Sequence, residues 1–448
     1  MTDVIVVGGG VAGLVAARDL AKGGVHVTLL EADAALGGMV QKHTLAGIDL
    51  DLAAESFATR GDHVRRLAIE LGLGNELVEP DKRGAWVMTK DRRVAPLPAA
   101  GLLGIPSTPM AADVIAVVGT SGAVRAQMDS LLPATVGAKA ATLGELVRRR
   151  MGQQVLDDLV VPVAGGVHST HPDQLDLDRV VPGLRAALLR EGSLARAVVA
   201  QRAKAPAGSA VGGIRGGISR LVDELAADME TYHVDVRLGM RAVRIDAHEV
   251  DAAPTDPATG RPGPVERLHA DAVLSTVADP GRQADERVDG IELVTLVVDQ
   301  PELDAAPRGT GMLVHPDASG IGAKALTHAT VKWAWLADAA GGRHVLRLSY
   351  ALAPRDGSDA HGAGSALAVD PSSELAASAV EDAAALLGVP LRAEEHLVAA
   401  DRVRWRAPDR RGADLAAGVV GIGEVSVGRG LAGVVAASRT SAERILDD

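Results

Sequence analysis

Hydrophobic and polar positions in the first thirty residues predict a strand, a helix and a second strand. Asp3–Val7 is a short β-branched run, which is typical of a strand buried on both faces of a sheet. Residues 14–22 are rich in Ala and Leu and are followed by Gly23 and Gly24, a pattern that predicts a helix and its end. His26–Leu30 then predicts a second buried strand.

The same reasoning predicts further elements along the chain. Residues 101–169 are expected to be mostly helical, with Thr142 capping one helix and the pair Gly165 and Gly166 interrupting another. A segment rich in Pro, Gly, Thr and Asp, residues 254–264, predicts an exposed hairpin loop. Predicted helices cover residues 64–73, 142–152, 155–163, 218–229 and 434–446, and predicted strands cover 234–237, 241–246 and 271–276, with another from residue 419.

Composition limits the classes of protein that this chain can belong to. Its 448 residues, of which 47% are apolar, predict a globular protein of two or three subdomains. It has no cysteine, so disulfides, thiolate metal sites and thiol nucleophiles are excluded, and a reducing cytoplasm is the expected location. The net charge of −12 argues against a nucleic-acid partner.

No apolar stretch is long enough to predict a membrane span, and the first residues do not resemble a signal peptide. Residues 95–118 are apolar but are broken by four prolines. We interpret this stretch as a buried loop and helix, while a peripheral membrane contact or a cover over a substrate channel stays an alternative.

A glycine cluster between the first strand and the first helix predicts a dinucleotide site. Gly8, Gly9, Gly10, Val11, Ala12 and Gly13 match G-x-G-x-x-G, and Glu31 ends the second strand. In this motif the first glycine permits the tight turn, the second admits a pyrophosphate, and the third lets helix and strand pack closely. The pyrophosphate would lie on the helix N-terminus. A carboxylate at Glu31 suits ribose hydroxyls and disfavours the 2′-phosphate of NADP.

Two further segments favour FAD over NAD. Residues 31–38 resemble the E-x-x-x-R-x-G-G motif of the flavin amine oxidase superfamily, with the acid at Glu31 and the glycine pair at Gly37 and Gly38. Ala35 stands where that family has Arg, so other groups must contact the phosphates and a weaker flavin affinity is expected. Residues 49–57 resemble the D-x-G-(A/P)-x-S-F segment, which passes under the flavin ring in the same superfamily.

Several later segments resemble one branch of this superfamily, the FAD-containing oxidases of protoporphyrinogen and coproporphyrinogen. These segments are Pro96-Leu-Pro98, Gly104-Ile-Pro106, and residues 142–150, 161–169, 173–177 and 213–221. The resemblance covers most of the chain and is thinnest over residues 290–400 and at the C-terminus. It implies a mixed α/β (α+β overall) fold, in which a Rossmann-type FAD-binding domain carries an inserted substrate-binding sheet domain and a helical subdomain.

On this basis the chain is divided into segments. The FAD-binding domain is expected to comprise residues 1–70, 212–284 and 401–448, the substrate domain residues 71–100, 170–211 and 285–400, and the helical subdomain residues 101–169. The resemblance and the motifs imply FAD contacts at Gly8, Gly9, Gly10, Val11, Ala12, Gly13, Glu31, Ala32, Gly38, Met39, Ala53, Ala54, Glu55, Ser56, Val243, Trp405, Gly423, Glu424, Leu431, Ala432 and Gly433.

The resemblance also implies a substrate and its binding residues. Oxidation of coproporphyrinogen III to coproporphyrin III in haem biosynthesis, with molecular oxygen as acceptor and peroxide as product, is favoured over oxidation of protoporphyrinogen IX. Substrate contacts are expected at Arg60, Gly165, Gly166 and His168, with Arg92 and Arg93 as weaker candidates for binding the propionates. Protons can leave to water, so no catalytic base is assigned. A metal is not expected, because His168 and His171 lack further ligands at suitable spacing.

Three alternative functions are considered beside this assignment. An amine oxidase with an aromatic cage drawn from the C-terminal segment is disfavoured, because no Phe, Tyr or Trp follows Trp405. A carotenoid desaturase is the alternative enzyme, since residues 95–118 could accommodate a polyene. The chain could also be a flavin-binding assembly protein without turnover. The expected partners are a tetrapyrrole, oxygen and another enzyme of the haem pathway.

Overall fold

The fold is described from a computed structural model. The structure describes residues 2–59, 61–168, 170–203, 211–255, 261–277, 290–352, 366–406, 415–427 and 430–447. Among the described residues, no helix is both long and apolar enough to cross a bilayer.

The strands are numbered in chain order. They are β1 (Asp3–Val7), β2 (His26–Leu30), β3 (Lys42–Leu45), β4 (Ile48–Asp51), β5 (Phe57–Ala58), β6 (Leu77–Val78), β7 (Trp86–Met88), β8 (Val94–Pro96), β9 (Gly101–Leu102), β10 (Ile105–Pro106), β11 (Val211–Ile214), β12 (Asp235–Arg237), β13 (Met240–Ile245), β14 (Glu249–Pro254), β15 (Glu266–His269), β16 (Ala272–Ser275), β17 (Gly290–Val298), β18 (Gly311–Val314), β19 (Ala325–His328), β20 (His344–Ala351), β21 (Ala366–Val369), β22 (Leu397–Arg406) and β23 (Val420–Gly421).

The α-helices are numbered in the same way. They are α1 (Val11–Lys22), α2 (His63–Glu70), α3 (Ala112–Gln127), α4 (Leu143–Met151), α5 (Gln153–Val155), α6 (Val161–His168), α7 (Leu177–Val180), α8 (Leu184–Glu191), α9 (Leu194–Arg202), α10 (Arg220–Thr231), α11 (Ala329–Lys332), α12 (Ala334–Ala340), α13 (Glu374–Leu387), α14 (Ala393–His396), α15 (Glu424–Val427) and α16 (Leu431–Asp447).

A parallel sheet with the strand order β12-β2-β1-β16-β23 lies between a layer of helices and a layer of antiparallel strands. Alternate residues of β1 point to opposite faces, as the strand period requires. Val4 and Val6 pack in a core with helices α1, α10 and α16, whereas Ile5 and Val7 pack against the antiparallel strands β13, β14 and β15. This arrangement of helices, parallel sheet and antiparallel sheet is the predicted α/β class.

A second, mostly antiparallel sheet has the order β21-β22-β17-β20-β19-β18-β7-β8 within the described residues. Its outer face is apolar and is covered by α13, with Val294, Leu296 and Leu348 fully buried there. Its inner face is formed by the alternate residues of the same strands. The inner face is the part of the sheet that contributes residues to the candidate functional site.

The helices from α3 to α9 share one apolar core. Leu184, Leu188, Leu194 and Val198 from α8 and α9 are completely buried in it, because their apolar positions recur at helical spacing. Residues 170–203 were assigned above to the substrate domain. We instead propose that the helical subdomain extends through residue 203.

Local predictions in this subdomain have different outcomes. Thr142 caps α4 as predicted, since its Oγ1 accepts the Glu145 N–H at 3.2 Å. The predicted interruption at Gly165 and Gly166 is wrong, because α6 continues through both to His168. The two glycines differ in their surroundings: a Cβ at Gly166 would lie 3.0 Å from Leu313 on β18, whereas a Cβ at Gly165 would meet no atom within 4 Å.

The terminal helix also differs from its prediction. It begins at Leu431 rather than Val434, so residues 431–433 form its first turn. Strand β23 and helices α2 and α10 lie within a few residues of their predicted bounds. The predicted hairpin loop over residues 254–264 joins β14 to β15, and its middle, 256–260, lies outside the described residues.

Candidate functional site

The turn between β1 and α1 has the geometry of a phosphate-binding loop. Gly8 has φ +103°, a conformation that favours glycine, and Gly10 precedes the first residue of α1. The Leu14 N–H donates to the Gly10 carbonyl at 3.0 Å, which closes the first turn. The N–H groups of Val11, Ala12 and Gly13 belong to that first turn, where a helix has no carbonyl of its own to offer them.

The three motif glycines are required for different reasons. A Cβ at Gly8 would lie 2.0 Å from the Thr276 Oγ1, and a Cβ at Gly13 would lie 1.9 Å from the Gly8 carbonyl oxygen. These two positions are therefore fixed by packing. A Cβ at Gly10 would meet no atom within 4 Å. The open space beside Gly10, at the positive end of α1, fits a pyrophosphate.

Glu31 shapes the other side of this turn. Its Oε2 accepts the Gly9 N–H at 2.6 Å and its Oε1 accepts the Asp33 N–H at 2.8 Å. Burial raises the pKa of the Glu31 carboxyl, and these two N–H groups partly offset that effect. The Glu31 carbonyl also accepts the Met240 N–H at 2.8 Å, so β13, which carries Val243, begins beside Glu31. Ala32 follows on the same turn.

Replacement of Glu31 by Gln is expected to raise the Kd of FAD about tenfold. The neutral amide of Gln would form neutral hydrogen bonds in place of the charge-assisted bonds of the carboxylate, which are roughly twice as strong. The Kd is measured by titrating apoprotein with FAD and following flavin fluorescence. Asp33→Asn, the same change of charge at the exposed neighbour, is the control and should bind like wild type. Equal affinity of both variants would remove Glu31 from the FAD contacts.

The second glycine pair lies directly against the first motif. Gly37 and Gly38 have φ +111° and +58°, and the Gly37 N–H donates to the Gly9 carbonyl at 2.8 Å. A Cβ at Gly38 would lie 3.4 Å from the Gly10 Cα. Ala35 is exposed and offers no charge. We therefore expect the N–H groups of α1 to be the principal phosphate ligands.

Residues 52–56, which we call the flavin segment, follow β4 and lie next to this turn. Its Ala54 N–H donates to the Met39 carbonyl at 3.2 Å. Just before it, Asp51 is buried and accepts the N–H groups of Ile218 and Ser219 at 3.0 and 2.9 Å. Predicted FAD contacts at Ala53, Ala54, Glu55 and Ser56 thus lie beside predicted contacts at Gly38 and Met39.

The C-terminal segment reaches the same place. Gly423 has φ +72°, and a Cβ there would lie 2.8 Å from the Ala12 Cβ, so this residue passes close to the start of α1. Glu424 follows as the first residue of α15. Leu431 and Ala432 pack against the core that contains α1, with Gly433 next in the first turn of α16.

Not every predicted FAD contact lies on the nucleotide sheet. Trp405 lies on β22 of the large sheet, opposite Ile291. It shares the inner face of that sheet with residues described below. At this position Trp405 is better placed to contact a group that lies between the two sheets than a group bound at the phosphate turn.

The inner face of the large sheet is organised in rows of directly opposed residues. One row contains Leu313, Ala325, Ser349 and Leu293, on β18, β19, β20 and β17. All four are half-buried. We call this uncharged row the wall. Gly166 of α6 lies over Leu313 at one end of it.

The next row along the same face is polar and contains Thr327, Arg347, Thr295 and Asp401. Arg347 donates to the carbonyls of Leu52 and Ala53 at 2.9 and 3.0 Å and lies 3.3 Å from a Glu55 oxygen. Asp401 pairs with His43 of β3. This row therefore holds residues 43–55 on the sheet, so that the flavin segment borders the wall.

The predicted substrate residues are only partly placed. Gly165 and Gly166 lie on α6 near the wall, and His168 is half-buried at the end of that helix. Arg60 lies outside the described residues. Arg93 is engaged within the protein, since it donates to the Val117 carbonyl at 2.7 Å and pairs with Asp158 at 3.1 Å.

The structure offers no evidence for a metal among the residues it describes, where no cluster of three or more His, Asp or Glu could hold one. His171 instead accepts the Asp173 N–H at 3.2 Å. His328 and His344 form a buried pair with 3.0 Å between ring nitrogens, and burial lowers the pKa of His328 to about 3. His328 is therefore neutral at physiological pH.

Sequence reasoning missed Arg347, Lys332 and Asp401. A charged residue inside an otherwise apolar strand pattern, as in His344–Ala351, is the feature that could have identified Arg347. Its partners could not have been found in the same way, since Glu55 is 292 positions away in the sequence.

Comparison with known proteins agrees with this geometry. A sequence profile described as flavin containing amine oxidoreductase matches residues 11–292. The coproporphyrinogen III oxidase of Mycobacterium bovis (strain ATCC BAA-935 / AF2122/97) is 30% identical over 367 residues, which cover 77% of this chain and 75% of that protein. The coproporphyrinogen III oxidase of Bacillus subtilis (strain 168) is 31% identical over 185 residues, 40% of this chain and 39% of that protein.

A solved structure gives the same fold. A protoporphyrinogen oxidase candidate from Exiguobacterium sp. 255-15 superposes with a TM-score of 0.75 at 22% sequence identity, covering 99% of this chain and 98% of the other. At this level of identity the likeness establishes the fold, and it confirms the predicted fold class.

Proposed function

Because the chain belongs to the family of flavin-containing amine oxidoreductases and uses FAD, we propose that it is a porphyrinogen oxidase whose preferred substrate is coproporphyrinogen III. The proposed reaction removes six hydrogens to form coproporphyrin III in haem biosynthesis. Molecular oxygen is the proposed electron acceptor, and each pair of electrons passed to it yields one hydrogen peroxide.

The wall is the observation that carries this proposal. It is an uncharged, half-buried row formed by Leu313, Ala325, Ser349 and Leu293. Gly166 of α6 lies over one end of it, and Arg347 in the next row bonds the flavin segment. A porphyrinogen has a broad apolar ring with its carboxylates on the periphery. The ring can pack on the wall while the propionates remain at the edge of the cavity, where water or cations solvate them.

The chain's own residues bind and orient the reactants. FAD supplies the two-electron acceptor, so one porphyrin requires three rounds of oxidation. The glycine turn and Glu31 would hold the nucleotide end, and the flavin segment would border the wall on which the substrate lies. Holding the reacting carbon in place is the principal contribution of the protein, because fixed geometry replaces a bimolecular encounter. No side chain is assigned as a base.

The assigned FAD contacts from Gly8 to Gly433 and the substrate contacts at Gly165, Gly166, His168 and Arg60 remain predictions within this proposal. So do a cytoplasmic location, a peripheral membrane contact and association with another enzyme of haem synthesis. Preference for coproporphyrinogen rests on the more polar, four-carboxylate character of that substrate.

Steady-state oxidation of the two porphyrinogens tests the substrate assignment. Porphyrin fluorescence and peroxide are measured with FAD-loaded protein in air, with coproporphyrinogen III and protoporphyrinogen IX in parallel. We expect kcat/KM to be higher for coproporphyrinogen III, and three peroxides to form per porphyrin. A higher value for protoporphyrinogen IX would reverse the preference. If the protein oxidises neither porphyrinogen faster than free FAD does, the proposal that it is a porphyrinogen oxidase is contradicted.

A further inference from the structure

A buried group of charges joins the flavin segment to the large sheet. Lys332, the last residue of α11, places its Nζ 2.6 Å from one oxygen of Glu55. Arg347 of β20 lies 3.3 Å from the other oxygen. The side chains of Lys332 and Glu55 are each 17% exposed and that of Arg347 is 8% exposed. We call these three residues the cation cluster.

The cluster does more than neutralise Glu55. Arg347 also donates to the backbone carbonyls of Leu52 and Ala53, so a single guanidinium bonds three groups of the flavin segment. A planar guanidinium with two terminal nitrogens suits this set of acceptors, since one nitrogen bonds Glu55 and the other bonds both carbonyls. The segment is thereby fixed to β20 at the row next to the wall, because Arg347 and Ser349 lie two positions apart on the same face of one strand.

The charges in the cluster do not cancel. Two cations face one carboxylate, and the charges of Lys332 and Arg347 outweigh the effect of burial, so that the pKa of the Glu55 carboxyl lies below its usual range. Glu55 is therefore ionised at neutral pH, and the three residues of the cluster together carry one positive charge. The neighbouring carboxylate of Asp51 accepts the N–H groups of Ile218 and Ser219, and Arg347 also acts on it electrostatically.

A buried positive charge has a predictable effect on electron transfer. Charges interact more strongly where water is excluded, and reduction adds negative charge to a flavin. A cation beside the flavin segment therefore favours reduction of a flavin that contacts this segment. Loss of that cation should make reduction of the flavin less favourable.

We infer that Lys332 and Arg347 are positioning residues for flavin reduction, which act through Glu55 and the flavin segment. Arg347 fixes the segment against the substrate wall, and the positive charge of Lys332 favours the reduced flavin. The inference rests on the proposed FAD site, since the flavin segment must contact the flavin for either effect to occur.

Two variants separate the electrostatic effect from the positioning effect. A third variant is the control for the loss of a lysine. Lys332→Met removes a charge and retains the length of the side chain. Arg347→Lys retains the charge but offers one nitrogen in place of the two that bond Glu55 and the carbonyls. Lys42→Met removes a lysine from a similar ion pair on the adjoining hairpin, with Asp49 at 2.9 Å, where both side chains are about half exposed and water screens the charge.

The measurements are the reduction potential of bound FAD, by anaerobic titration against a reference dye, and the Kd of FAD for each apoprotein. We expect Lys332→Met to bind FAD but to lower the equilibrium constant for two-electron reduction at least tenfold, a fall of about 30 mV in potential. With substrate, kcat should fall and KM should stay near its wild-type value. We expect Arg347→Lys to raise the Kd of FAD about tenfold while the potential stays near that of wild type.

The result that would overturn the inference is a Lys332→Met potential equal to that of Lys42→Met, together with wild-type FAD affinity in Arg347→Lys. A Lys332→Met change in FAD affinity alone, with an unchanged potential, would also overturn the electrostatic role. Failure of the FAD site itself is recognised separately, because wild-type protein would then bind no FAD or Gly10→Val would bind it normally.

Discussion

A Gly10→Val variant is expected to fold and to purify without flavin. The valine side chain would enter the open space beside Gly10, where the pyrophosphate would lie, and the first N–H groups of α1 would be covered. The backbone tolerates the change, because Gly10 has φ −71° and ψ 172°, which any residue adopts. The measurement is flavin absorbance per polypeptide after desalting, with circular dichroism and thermal unfolding to establish that the variant is folded.

The neighbouring glycines provide the contrast. Gly8→Val and Gly13→Val place a Cβ about 2 Å from Thr276 and from the Gly8 carbonyl, so these variants should lose stability as well as flavin. Only Gly10→Val is expected to separate flavin binding from folding. A yellow Gly10→Val protein with full flavin stoichiometry would show that the pyrophosphate does not lie at this turn.

Gly165→Leu is expected to lower kcat/KM for coproporphyrinogen III by about 5- to 150-fold, corresponding to about 1–3 kcal/mol of steric overlap. A Cβ at Gly165 would meet no atom within 4 Å, so the leucine would fill open space on α6 without displacing protein atoms. If that space belongs to the substrate cavity near the wall, KM should rise while the FAD content stays unchanged.

Ala186→Leu is the control for this prediction. Ala186 is an exposed residue of α8 in the same helical subdomain, so its enlargement adds apolar bulk at a surface position. Its kinetics should equal those of wild type. If Gly165→Leu also has wild-type KM and kcat, Gly165 does not line the substrate cavity, and the assignment of α6 to that cavity fails.

The nucleotide-binding part of the fold could be predicted because its determinants are local. Gly8 to Gly13 and Glu31 lie within one strand–helix–strand unit, and their spacing alone places them on one turn. The structure adds the distinction between glycines, since only the contacts of Thr276 and of the Gly8 carbonyl show which of them packing requires.

The inner face of the large sheet could not be predicted in this way. Leu313, Ala325, Ser349 and Leu293 become neighbours only through strand register, which depends on pairings between distant parts of the chain. Residue identity alone was also misleading at Gly165 and Gly166. A glycine pair weakens a helix, but α6 continues through both residues, and only Gly166 lies close to Leu313.

The most direct test of the central claim is anaerobic mixing of FAD-loaded protein with coproporphyrinogen III, followed by admission of air. Our account predicts that the flavin absorbance bleaches without oxygen, and that air then restores it with formation of peroxide and fluorescent coproporphyrin. A flavin that stays oxidised on mixing with either coproporphyrinogen III or protoporphyrinogen IX would contradict the account and would favour a flavin-binding protein that acts on another substrate or none.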